Sequence, residues 1–299
     1  MRSTPRLTAV LTGLALPLMT LGCAAPPEHG TGALGEVATA AEQAQPAQPD
    51  AASFAAELAS RLESATLIDL TYTYDEDTVY WPTAPSTFDL HQDAYGETDA
   101  GFFYASNSFC TPEHGGTHLD APIHFAAGKM TSDQLPLESL LSPAVVIDIA
   151  AQAAANPDYV LSAEDVLAWE AEHGMIEAGT IVMLRTGWGA KWPDRKAYLG
   201  DDTPGDASNL HFPSYGEASA RLLVEERKVA VLGVDTASID HGPSRDFIAH
   251  QIANRADVPG LENVANLHRL PPRGAYVIAL PMKIGGGSGG PVRIVALLG

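Results

Sequence analysis

The chain has 299 residues, long for one domain and short for two, so one large domain with extensions and a sizeable core is expected. Seventeen Lys and Arg stand against 37 Asp and Glu, a formal net charge of -20 that repels phosphate backbones and sets nucleic acid aside as a partner.

At the N-terminus Arg2 and Arg6 precede an uncharged apolar stretch, Leu7 to Leu21, too short to span a bilayer comfortably and patterned like an export signal. The stretch runs into TLGC (Thr20 to Cys23), which resembles the lipobox of bacterial lipoproteins, whose cysteine becomes the lipidated first residue of the mature chain. The expectation is a lipoprotein-type signal over residues 1–22 and a lipid anchor to membrane at Cys23, with an ordinary secretory signal as the alternative. Either way the protein is expected to be exported. In a cell with two membranes, Ala24 and Ala25 carry no inner-membrane retention signal, which makes the outer membrane, facing the periplasm, the default. A lipidated Cys23 leaves Cys110 without a partner, so the core is expected to hold without a disulfide. Residues 23–52, with AEQAQPAQPD, are too poor in large apolar side chains to offset ordering entropy and are expected to form a disordered tether before a domain spanning 53–299.

The amphipathic segment AASFAAELASRL leads into TLIDLTYTY, read as a first strand near Leu67 to Tyr72. AVVIDI (Ala144 to Ile149) suits a buried strand, and SAEDVLAWEAEHG a helix opened by Ser162 and Asp165 and closed at Gly174. TIVMLRT is a strand, SYGEASARLLVEERK a helix opened by Ser214 and Glu217, VAVLGVD a strand and SRDFIAHQIANRA a helix. AYVIAL and VRIVALL finish the chain as strands. This alternation predicts a single α/β domain, its sheet mixed or mostly parallel and flanked by helices.

Between the first strand and this alternation lies HGGTHLDAPIHF, His114 to Phe125. His114, His118, Asp120 and His124 are all even, so in extended chain they project to one face. Extension alone fails, because His114 and His118 would stand about 13 Å apart at ~3.3 Å per residue. A bend at Gly115 and Gly116 is therefore required. Two imidazoles and a carboxylate suit a divalent metal, Zn or Mn, with Fe or Co possible, and leave coordination positions open for water and substrate.

At these residues the sequence resembles the HxGTHxDxPxHF signature of the cyclase family of metal-dependent hydrolases, which includes bacterial kynurenine formamidases and isatin hydrolases. LRTGW, GVDTASID, LENVANL and KIGGGSGGPVR match in order, so the resemblance covers nearly everything from Leu67 onwards. It implies a mixed α/β fold of the swivelling β/β/α type, commonly a homodimer with pockets completed near the subunit interface. It implies that His114, His118 and Asp120 hold one metal, and that a second ion, where there are two, is shared by Asp120 with His250 and Glu262. His124 corresponds to the catalytic histidine, with service as a third ligand the alternative. Trp81, in YWPTAP, corresponds to an aromatic residue lining the substrate pocket; Thr83 and Ala84 depart from the commoner WPGD form, and His241 stands where Pro is frequent.

Amide hydrolysis needs a nucleophile at neutral pH, stabilised charge at the carbonyl oxygen and a proton for the departing nitrogen; a divalent cation provides the first two and an imidazole the third. The implied activity is that of an arylformamidase converting N-formylkynurenine to kynurenine and formate, as in tryptophan catabolism. Opening of a cyclic aromatic amide, the isatin hydrolase reaction, comes next. A non-catalytic lipoprotein that binds metal or a small ligand is the alternative from another class. GGSGG (Gly286 to Gly290) matches G-x-S-x-G, but neither Asp nor His follows Ser288, so a nucleophile elbow is set aside and close backbone approach beside the metal site explains the glycines. Asp235, Ser238 and Asp240, at the end of VLGVD, either orient the site or cap the turn and the next helix.

Overall fold

The runs AVVI, IVML and VLGV have no polar residue to turn toward water, and each becomes a strand buried on both sides. A computed structural model describes residues 51–299. The expected signal, the lipidation site at Cys23 and the tether to residue 50 lie outside the described residues; Ala51 and Ala52, placed in the tether, open the first helix instead.

In chain order the elements are α1 (Ala51–Ser64), β1 (Thr66–Asp69), β2 (Asp89–Glu97), β3 (Phe103–Cys110), β4 (His118–Asp120), α2 (Leu137–Leu140) and β5 (Leu141–Asp148). There follow α3 (Ala150–Ala155), β6 (Val160–Leu161), α4 (Ala163–His173), β7 (Ile181–Arg185), α5 (Arg195–Leu199), β8 (Ser214–Tyr215) and α6 (Glu217–Arg221). The last are β9 (Val231–Val234), α7 (Ile248–Arg255), β10 (Gly260–Glu262), β11 (Ala275–Pro281) and β12 (Gly289–Leu298).

Eight strands form one mixed sheet in the order β1-β12-β11-β5-β7-β9-β10-β4. β5, β7, β9 and β10 run parallel, and the other pairings are antiparallel. β12 also pairs with β4 through Gly289 to Pro291, so the sheet closes on itself. Side-chain alternation then gives the sheet one apolar cluster on each face. Val145, Ile147, Val182, Leu184, Leu232 and Val234 pack with Trp169, Ala220 and Ile252 of the covering helices. Val146, Ile181, Met183 and Val231 join Leu119, Leu261, Val277 and Ile294 in the other cluster.

The α4 reading holds in detail: Ser162 Oγ accepts from Asp165 N, the Asp165 carboxylate accepts from Ser162 N, and Gly174 ends the helix at φ 91°. Elsewhere tertiary contacts override local signals. Ser214 does not open α6; it lies in β8, paired with β6, and its hydroxyl donates to the Ser238 carbonyl. Ser219 instead accepts from Gly216 N at the true helix start. β1 stops at Asp69, three residues before the expected end. A whole β2–β3 hairpin occupies a stretch from which no element was expected.

Candidate metal centre

The histidine stretch is extended only at β4. Before it the chain turns at Gly116, whose φ of 57° favours glycine and where a Cβ would lie 2.7 Å from the Tyr74 ring. After it, Pro122 starts a 3-10 turn, Pro122–His124. The even-numbered parity argument therefore fails at both ends. Bend and turn nevertheless carry His114 and His124 to the same place, where their rings stack 3.8 Å apart at 18°.

β4 lies between β10 and β12, and in the β10 register Glu262 stands directly opposite His118. This pairing explains why a glutamate far along the chain reaches the histidine stretch. His250 arrives from the first turn of α7. Asp240 accepts from the backbone N–H of Ala249 and His250 and also meets His250 Nδ1 at 2.7 Å. The two readings of Asp240, helix cap and site orienter, are thus one interaction. Asp235 instead caps a turn, accepting from Thr186 N, Thr186 Oγ1 and Gly187 N.

At the centre is Asp120, 1% exposed. Its Oδ1 is 2.6 Å from His114 Nδ1 and 3.2 Å from His118 Nε2, and its Oδ2 is 3.1 Å from His250 Nε2. Glu262 closes the other side, with Oε2 3.4 Å from His118 Nε2 and Oε1 3.1 Å from His250 Nε2. All five residues expected to hold metal therefore converge. Among the described residues, two donor groups satisfy metal-site spacing, His114 with His118 and Asp120, and Asp120 with His124 and His250; they share Asp120.

The donor chemistry fits a cation. The far nitrogens of two rings face groups that only accept: His118 Nδ1 lies 3.0 Å from the Gly116 carbonyl, and His250 Nδ1 faces the Asp240 carboxylate. Those nitrogens must carry the hydrogen. The near nitrogens then point lone pairs at carboxylate oxygens, which is repulsive unless a positive charge lies between. A proton or a metal ion can provide it. With protons alone, burial pulls His118 down but the Asp120 and Glu262 carboxylates outweigh it, pushing it up to about 10. His250 is raised in the same way, and Asp120 is held low by His118 and His114 against the opposing effect of burial. His124 differs: burial lowers it to about 4, with Asp120 opposing and His114 reinforcing, so it is neutral at pH 7.

The cluster opens onto a cavity of about 320 Å³. His114, His118, His124, His250 and Glu262 are among its polar lining residues; Val79, Trp81, Phe125, Ala237 and Phe247 are among the apolar ones. The ring of Trp81 in this wall is 6.2 Å from that of Phe247. The sequence reading missed Phe125 and Phe247 as pocket walls. Phe125 closes the signature itself, whereas Phe247 precedes α7 at φ 52° and carries no periodic signal.

Residues 68–241, more than half of the chain, match the Cyclase family model, and the chain belongs to that family of hydrolases. Within the family it is similar to isatin hydrolase of Roseibium aggregatum, at 37% identity over 218 residues covering 70% of this chain and 81% of the relative. It is also similar to kynurenine formamidase of Salinibacter ruber, at 28% over 236 residues covering 77% and 96%. Among solved structures, an isatin hydrolase bound to the product analogue thioisatinate superposes with a TM-score of 0.76 at 32% identity, covering 84% of this chain and 99% of that one. Isatin hydrolase A from Ralstonia solanacearum gives 0.76 at 33%, covering 86% and 100%.

Proposed function

We propose that this hydrolase cleaves an amide C–N bond of a small aromatic compound, using a divalent cation held by His114, His118 and Asp120, with His250 and Glu262 completing the centre. The observation that carries the reading is the convergence of imidazole lone pairs and carboxylate oxygens beside an aromatic-walled cavity. A divalent cation bound there would supply Lewis acidity, lowering the pKa of water and drawing charge from the carbonyl oxygen. Trp81, Phe125 and Phe247 hold the ring of the substrate flat and exclude water. His124, neutral and lining the cavity, takes the proton released as the C–O bond forms and returns it to the nitrogen as the C–N bond breaks.

A cyclic amide on an aromatic ring, opened as in isatin hydrolysis, is the first substrate class. The greater similarity to isatin hydrolase, 37% against 28% identity, supports it and reverses the order expected from the signature alone. N-formyl aromatic amines come second. The deciding experiment pairs metal content of the purified protein by mass spectrometry with turnover of isatin and N-formylkynurenine, with and without chelator. Activity that survives stringent metal removal overturns the mechanism; cleavage of the formamide alone reverses the substrate order.

The expected homodimer is supported by the β2–β3 hairpin. Register places Leu90, Tyr95, Phe103 and Phe109 on one face, and each is more than half exposed.

A further inference from the structure

Ser288 has no part in the proposed reaction, yet it is held tightly. Its Oγ lies 2.8 Å from Nε2 of His114 and 2.6 Å from Oε2 of Glu113, and its backbone N–H donates to the same Glu113 oxygen at 2.9 Å. Gly289 permits the approach, since a Cβ there would stand 2.7 Å from His114 Cε1. Asp120, His114, Ser288 and Glu113 thus form a line, with the imidazole spanning a 2.6 Å contact to Asp120 Oδ1 at its other end.

The direction of the hydrogens follows. A Glu113 carboxylate can only accept, so it takes both the N–H and the O–H of Ser288. The hydroxyl oxygen is left with lone pairs for His114, and Nε2 must carry the ring hydrogen. Nδ1 then presents its lone pair toward Asp120. His118 and His250 are fixed in the same sense by the Gly116 carbonyl and Asp240. His114 has the most exposed side chain of the three, 26% against 4% and 3%, so packing holds it least.

We infer that Ser288 and Glu113 are positioning residues, fixing the tautomer and orientation of His114 for the cation; this rests on the proposed metal centre. Ser288 is not a nucleophile: its hydrogen is directed to Glu113, and neither residue lines the cavity.

Metal affinity, measured on the purified protein by competition between Zn²⁺ and a chromogenic chelator and by the visible spectrum of the Co²⁺ form, tests this. Ser288→Ala and Glu113→Ala should each weaken binding by about ten- to a hundredfold and perturb the Co²⁺ bands. Because both act through one hydroxyl, the double variant should bind within about threefold of the weaker single variant. Glu113→Gln keeps an acceptor for Ser288 and should return to within about threefold of the wild type. Metal-free melting temperatures close to the wild type separate positioning from folding, and should Ser288→Ala fail to fold, the two Glu113 variants carry the test. Unchanged affinity in both alanine variants overturns the inference. So do fully additive losses, or a Ser288→Ala protein that keeps its metal and loses turnover, which would make the serine a nucleophile. A wild-type protein that takes up no metal overturns the metal centre itself.

Discussion

Asp120 illustrates how much one side chain can organise: its two oxygens face three imidazoles, two from the histidine stretch and one from α7. Removing a coordinating group and removing a proton carrier should therefore look different. His124→Ala should keep its metal and lose turnover by about 10²- to 10⁴-fold, whereas His118→Ala should lose both, as read by metal analysis and steady-state rates. A His124 variant that also loses metal identifies that ring as a ligand, as its place in the second donor group allows. Acidity provides a second prediction. His118 is raised in the metal-free fold, so its stabilising contribution is present below its unfolded pKa and is lost as pH rises toward about 10. Thermal melts of chelator-treated protein should fall across this range, and a flat profile would contradict the assignment. His114, His118, Asp120 and the bend were legible because ligands and glycines lie within a few residues. His250 and Glu262 came only with the family resemblance, since cross-strand pairing and a remote helix cap bring them in and neither leaves a local pattern.

Elements whose ends are set by their own residues were legible, and those set by neighbours were not. Helix α4 carries its cap in sequence, and Ser162→Ala should cost about 1 kcal/mol in denaturant unfolding. By contrast α6 lost its expected opening residue to β8, and α7 borrows its cap from Asp240. The hairpin leaves no comparable local signature, although its turn, Thr98 to Gly101, is closed by ordinary hydrogen bonds. Its strands do not alternate apolar and polar residues cleanly, because a bulge between Gln92 and Ala94 shifts the register.

For the molecule as a whole, strand and helix alternation gave the mixed α/β class but not the closure of the sheet, which depends on three residues of β12 meeting β4. The hairpin has a consequence at this scale. Light scattering in solution should give about twice the chain mass, and Phe103→Ser with Phe109→Ser should shift it toward a monomer that keeps its secondary structure. A wild-type monomer would leave the aromatic face unexplained.

Closure also makes the centre depend on the end of the chain. The donor atoms come from residues 114 to 262, yet the strand that seats Asp120 on its second side begins only at Gly289. A chain truncated before Gly289 would keep the histidines but lose the floor beneath them, so it should take up Zn²⁺ far more weakly than the intact domain in the same chelator competition.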